Sequence, residues 1–284
     1  MEDRVEPLMK ERAAWLFKEG PVARLSKAAL YRLLRYEKTI ALGQAMDPLS
    51  AEDMMVELQK MLAKNVAAKG LANIPASGPA LIVANHPTGI ADAIMVNHLI
   101  GQTRADAYYF ANRDILRVLP QFETMIAPVE WRVDKRSHAK MRETMAFTRQ
   151  AVEEGRLGVI FPSGRLAKRR GIRLYERPWM ASAAMIARKF DLPVIPVNIR
   201  SRNSALFYFF DLVHPSLRDI TLFYEMMNKD QQPYHITVGE PISAAALPKN
   251  SDEAIDVLRR ETLRLGDPRL TLVSRKMRPA SALF

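Results

Sequence analysis

A histidine and an aspartate six positions apart, His86 and Asp92, lie in the run Asn85-His86-Pro87-Thr88-Gly89-Ile90-Ala91-Asp92, directly after the apolar stretch Ala80-Leu81-Ile82-Val83-Ala84. An imidazole with one nitrogen fixed by a carboxylate is a general base, because the carboxylate selects the tautomer and stabilises the imidazolium that forms. The apolar stretch reads as a buried strand, and a loop just past a strand end is where open α/β sheets place their sites. There is no cysteine and no Gly-x-Ser-x-Gly run, so no protein nucleophile accompanies the pair. The proton taken would come from a hydroxyl or amine of a substrate. A histidine in a turn with a nearby aspartate also fits a hydrogen-bonded loop without chemistry.

Three further stretches follow in order: Ile126-Ala127-Pro128-Val129-Glu130-Trp131-Arg132, Phe161-Pro162-Ser163-Gly164-Arg165 and Leu192-Pro193-Val194-Ile195-Pro196-Val197. Together with the His86 run they resemble the four motif blocks of the glycerolipid acyltransferase superfamily, the PlsC-like lysophosphatidic acid acyltransferases, over about residues 70–240. The resemblance implies an α/β fold with a mixed, mostly parallel sheet flanked by helices. It also implies transfer of a fatty acyl group from an acyl thioester to the free hydroxyl of a lysolipid of the 1-acyl-glycerol-3-phosphate type. His86 and Asp92 are then the catalytic base and its partner. Asn85, Thr88, Gly89, Arg132, Phe161, Pro162, Ser163, Gly164, Arg165 and Pro196 would line the substrate site, with Arg132 helping to bind the acceptor and Pro196 on the acyl-chain side. No metal and no cofactor are implied; acyl carrier protein or coenzyme A carries the acyl group as co-substrate.

Two departures qualify the resemblance. The family spacing has four residues between His and Asp, and here there are five, with Gly89 able to absorb the extra position. The third block is commonly Phe-Pro-Glu-Gly-Thr-Arg; here Ser163 replaces the glutamate and Arg165-Leu166 the Thr-Arg pair. The glutamate is associated with acceptor recognition, so its absence points to an acceptor other than lysophosphatidic acid. A lyso-aminolipid of the lyso-ornithine type is the alternative, with Arg165 and Arg132 as partners for its carboxylate. A Ser-Gly turn after a strand also has a purely structural reading.

Between 165 and 177, Arg165, Lys168, Arg169, Arg170, Arg173 and Arg177 stand against a single anion, Glu176, and Arg132, Lys135 and Arg136 form a second cluster. If both border the His86 pocket, they make a funnel for an anionic headgroup or an acidic carrier. His98, His138, His214 and His235 lack a neighbouring histidine or carboxylate at ligand spacing, so no metal site is expected.

These residues must be held by an ordered frame. Residues 71–284 alternate short β-like runs with helical ones, the α/β pattern. Strands are expected at 80–84, 107–111, 125–129, 157–161, 194–199, 206–212, 220–226 and 235–239, and helices at about 141–152, 178–190 and 251–265. Residues 1–70 read as a separate helical region without strands. Its segment 10–38 carries eight Lys/Arg and three Asp/Glu among Trp15, Phe17, Leu30, Tyr31, Leu33 and Leu34. Such a cationic amphipathic segment can lie in lipid headgroups, or can pack on the following domain.

The 284 residues are 48% apolar and 26% charged with a net charge of +11, which excludes fibrous and wholly disordered classes. No run reaches the ~20 apolar residues of a spanning helix. Three acidic residues before position 10 and no apolar core argue against a secretory signal. The expectation is a peripheral protein on the cytoplasmic face of the inner membrane, in contact with anionic lipid. The basic residues are spread over several segments without a helix-turn-helix, RRM or OB signature, so nucleic acid is not expected. A non-catalytic basic membrane-binding scaffold is the reading from another class.

Overall fold

The computed structural model describes residues 1–130, 137–171, 173–266 and 269–271. Its strands are β1 (Val66–Lys69), β2 (Ala80–Ala84), β3 (Tyr108–Asn112), β4 (Ile126–Val129), β5 (Leu157–Ile160), β6 (Lys168–Arg170), β7 (Arg173–Tyr175), β8 (Val194–Arg200), β9 (Tyr234–Val238) and β10 (Arg269–Thr271). Seven of them form one sheet in the order β1-β9-β8-β2-β5-β3-β4, and β10-β7-β6 form a small second one. All neighbours in the large sheet are parallel except β8 and β9, so β1 and β9 run against the other five. The expected mixed, mostly parallel sheet is the one observed.

The helices are α1 (Glu2–Arg12), α2 (Pro21–Leu33), α3 (Tyr36–Met46), α4 (Ala51–Leu62), α5 (Ile90–Ile100), α6 (Asp114–Val118), α7 (His138–Glu153), α8 (Ser182–Lys189), α9 (Ala205–Val213), α10 (Pro215–Met226) and α11 (Ser251–Arg264). Every residue of β2 is buried, because helices cover both faces of a parallel sheet. Its period of two divides it between cores. Ala80, Ile82 and Ala84 pack with Met54 and Leu58 of α4 and Ile94 and Met95 of α5. Leu81 and Val83 pack with Ala151 of α7, Ala183 and Ile186 of α8, and Ile255 and Leu258 of α11. A third cluster joins Val5 and Met9 of α1, Tyr36 and Ile40 of α3, Phe210 of α9 and Ile220 of α10.

Three local expectations are corrected. Residues 206–212 and 220–226 form α9 and α10, not strands. An apolar run such as Ala205–Phe210 has no decisive period. The Ser204 hydroxyl accepts from the Phe207 N–H at 3.2 Å, and Pro215 opens α10, and these end signals select helix. Residues 66–69, read as helical, form β1. Val-Ala-Ala-Lys has little strand propensity, and pairing with β9 decides its state. Finally, α4 does not belong to a separate N-terminal unit, since Met54, Met55, Leu58 and Leu62 lie in the main core. Among the described residues, no helix is long and apolar enough to cross a membrane.

Candidate active site

β2 and β5 are hydrogen-bonded neighbours, so the loops after them meet. The first leads to α5 on one face of the sheet, whereas the chain after β5 continues to α8 on the other. They diverge at the carboxyl ends of the strands, the usual place for a site in this architecture. The two loops are tied by the Ala167 N–H, which donates to the His86 carbonyl at 2.9 Å.

In the first loop Asn85 extends the sheet bonding with its side chain. Its amide donates to the Ile199 carbonyl at 2.8 Å and accepts from the Ile199 N–H at 2.6 Å. Gly89 has φ +97° and ψ −138°, a backbone that only glycine adopts without strain, and it is the N-cap of α5. That turn carries Asp92 back towards His86. Asp92 is wholly buried, yet its oxygens are well supplied with donors. Oδ2 accepts from Thr88 N at 2.8 Å and Gly89 N at 3.0 Å, and Oδ1 from the Thr88 hydroxyl at 2.5 Å. A buried carboxylate that receives several N–H and O–H bonds at a helix N-terminus is held in one orientation. The Thr88 hydroxyl is held in turn by Tyr234 of β9, whose hydroxyl lies 2.8 Å away. Burial lifts the Tyr234 pKa well above the phenolic range, so this hydroxyl keeps its proton and donates it to Thr88.

His86 Nδ1 lies 3.0 Å from Asp92 Oδ2, off the line of an ideal hydrogen bond, and the side chain is 18% exposed. Its ring stacks on Phe161 with centroids 4.3 Å apart. The pair is therefore assembled as the spacing suggests, five intervening residues included, with one imidazole nitrogen turned to a carboxylate. Apo geometry of this kind tightens when a substrate proton is engaged.

Pro162 and Ser163 are buried beside this loop, while Gly164 and Arg165 are exposed at the turn. Of the backbone N–H groups near His86 and the Ser163-Gly164 turn that could steady an oxyanion, two are already bonded. The Gly164 N–H donates to the Phe161 carbonyl at 2.9 Å, and the His86 N–H to Glu176 Oε2 at 3.2 Å. Glu176 also accepts from the Trp179 indole at 2.9 Å and meets the Ser163 hydroxyl. Burial is the main cause of its raised pKa. So a carboxylate does stand beside Ser163, delivered from the segment after β7. Sequence reasoning passed over Glu176; the signal was its position as the one anion among six cations in thirteen residues.

The remaining candidates separate. Pro196 is buried in β8 in register with Val83, packed where a side chain on Gly239 would clash, and no described contact links it to His86. Arg132, with Lys135 and Arg136, lies outside the described residues. Arg177 donates to the Leu166 carbonyl at 2.9 Å and so serves the loop, whereas Lys168, Arg170 and Arg173 are exposed on the β6–β7 hairpin. No group of three or more His, Asp or Glu that could hold a metal occurs among the described residues. Behind Asp92 sits a second network that the sequence did not reveal. Lys229, fully buried, bonds Glu225 at 2.8 Å and Asn203 at 2.6 Å.

Comparison with known proteins places the chain among acyltransferase-like sequences and folds. Residues 65–200 match the Acyltransferase family. The chain is 22% identical over 196 residues to a lyso-glycine lipid O-acyltransferase of Phocaeicola vulgatus, covering 67% of this chain and 68% of the relative. It is 21% identical over 224 residues to a protein of the same name from Bacteroides thetaiotaomicron, covering 77% and 80%. The crystal structure of the 1-acyl-sn-glycerophosphate (LPA) acyltransferase PlsC from Thermotoga maritima superposes with a TM-score of 0.50 at 15% identity. The match covers 85% of this chain and 95% of that one, which shows the shared fold.

Proposed function

We propose that this chain, an acyltransferase of the PlsC-like glycerolipid superfamily, esterifies the free hydroxyl of a lyso-aminolipid with a fatty acyl group taken from an acyl thioester. The observation that carries this reading is His86 at 3.0 Å from a buried, fully supported Asp92, with the ring still open to solvent. His86 Nε2 takes the hydroxyl proton as the oxygen attacks the thioester carbonyl. Asp92 steadies the imidazolium, and collapse of the tetrahedral intermediate breaks the C–S bond. The proton on His86 then passes to the departing thiolate. No acyl-enzyme is formed, so the kinetics are sequential.

The acceptor reading rests on the names of the two relatives, both lyso-glycine lipid enzymes. This reverses the order of the two acceptors weighed from the sequence. The exposed Arg165, just beyond the turn, is placed to take a headgroup carboxylate bidentately. The donor is a coenzyme A or acyl carrier protein thioester, drawn by the exposed cations of the β6–β7 hairpin. The acceptor is an amphiphile, so the enzyme works against a membrane, docked peripherally on an anionic cytoplasmic face. Two helices support that mode. Val22 and Leu25 of α2 are 77% and 74% exposed, and Phe209, Leu212 and Val213 of α9 are 58%, 69% and 57% exposed. Both helices are rooted in the third core cluster through Leu30, Tyr31 and Phe210.

The test offers purified protein lyso-glycine lipid, lyso-ornithine lipid and lysophosphatidic acid with acyl-CoA or acyl carrier protein, and reads products by mass spectrometry. A diacylated aminolipid is expected. His86→Ala and Asp92→Asn should each lower turnover by about 10²–10⁴-fold with the fold intact. Product from lysophosphatidic acid alone would overturn the acceptor, and near-normal rates in His86→Ala would overturn the base.

A further inference from the structure

We propose that Glu176 is the positioning residue that holds the His86 backbone and keeps its ring over Phe161, and that any carboxylate in the same place does this, whichever chain position carries it. The proposal rests on the reading of His86 as the base. Glu176 Oε2 accepts from the His86 N–H at 3.2 Å, and the Ala167 N–H holds the His86 carbonyl at 2.9 Å. The peptide groups on either side of the His86 Cα are thereby fixed, which sets where the Cα–Cβ bond points. The ring then falls on Phe161, 4.3 Å between centroids.

Glu176 is itself pinned more firmly than a surface residue needs. Its other oxygen accepts from the Trp179 indole at 2.9 Å, and its carbonyl accepts from Arg259 of α11 at 3.2 Å. Along the same segment, Arg177 bonds the Leu166 carbonyl at 2.9 Å and the Met180 N–H donates to the Pro162 carbonyl at 3.0 Å. Burial raises its pKa, and the indole and backbone N–H donors that it accepts from oppose that shift.

The Ser163 hydroxyl reaches the same carboxylate; its one proton has that acceptor and the Arg165 carbonyl at 2.8 Å. A glutamate at 163 would extend its carboxyl carbon about 1.5 Å past the position of the serine oxygen, towards the Glu176 carboxylate that this oxygen meets. This makes relocation of the charge a direct test.

Glu176→Ala, and Glu176→Ala combined with Ser163→Glu, are compared with the parent and His86→Ala on the full-length protein. Two readouts are used: kcat and KM, and the Hε1 resonance of His86, which feels the Phe161 ring current. His86 is identified among the five histidines by its loss in His86→Ala. Glu176→Ala should lower kcat about 10²-fold with KM changed less than about threefold, and should shift the His86 resonance; adding Ser163→Glu should restore both in large part. An unshifted His86 resonance in Glu176→Ala, or a loss that relocation fails to recover, overturns the proposal. Full activity in His86→Ala would remove the base reading instead, and the resonance would still judge the role of Glu176.

Discussion

Gly89 shows how much of the site hangs on single backbone angles. A Cβ there would meet Leu166 Cδ2 at 3.3 Å, and the φ/ψ pair is one that L side chains avoid. Gly89→Ala should therefore cost about 1–3 kcal/mol of stability by urea unfolding. It should also lower kcat, because relief of the strain rotates the turn that returns Asp92 to His86. The His86-Asp92 relation was legible from spacing and from the strand before it, since both are local. Glu176 and Tyr234 were not. They lie 90 and 146 residues from their partners in the loop, and no local pattern registers such a pair. The absence of glutamate at 163 was read as a sign of a different acceptor, yet the Glu176 carboxylate meets the same serine from the segment after β7. Composition of one motif is thus a poor guide to the charge present at its place in space.

At the scale of elements, the segment 201–232 was the least legible. Its helices are apolar on more than one side, and what distinguishes them from strands is their ends and their buried polar fastening. Lys229 and Glu225 cross-link the loop after β8 to α10. Glu225 accepts from the Ser204 N–H at 2.9 Å and from the Ser204 hydroxyl, and Lys229 bonds Asn203 and the Arg202 carbonyl. Removing one partner leaves a buried charge without compensation, so Lys229→Ala should destabilise by about 3–5 kcal/mol in urea unfolding. Lys229→Met combined with Glu225→Leu should cost clearly less than Lys229→Ala. The strands of the central sheet, by contrast, were legible because burial on both faces makes them short, continuous apolar runs.

For the whole molecule, a charge of +11 and two outward apolar helices are the features on which the proposed attraction to anionic bilayers and shallow insertion rest. Leu25→Asp with Leu212→Asp should reduce flotation with anionic vesicles about tenfold or more, given the apolar area lost. Raised salt should weaken the parent protein's binding as well. This pair of substitutions is a cleaner probe than removing the first 40 residues, because Val5, Leu8 and Met9 of α1 are core residues. The outward apolar face of α9 was not legible from the sequence while that segment was read as a strand.

The reversed pair β8–β9 places Tyr234, one of the last residues of the sheet, against Thr88, one of the first of the site. A ribosome adds roughly 5–20 residues per second, so roughly 7–28 s of synthesis separate Asp92 from the hydroxyl that completes its support. Throughout that interval the nascent chain carries its histidine and aspartate without the clasp that orders them. On the proposed role of the pair, activity should appear only with the closing of the sheet, and a chain cut short before β9 should keep the motif without the activity.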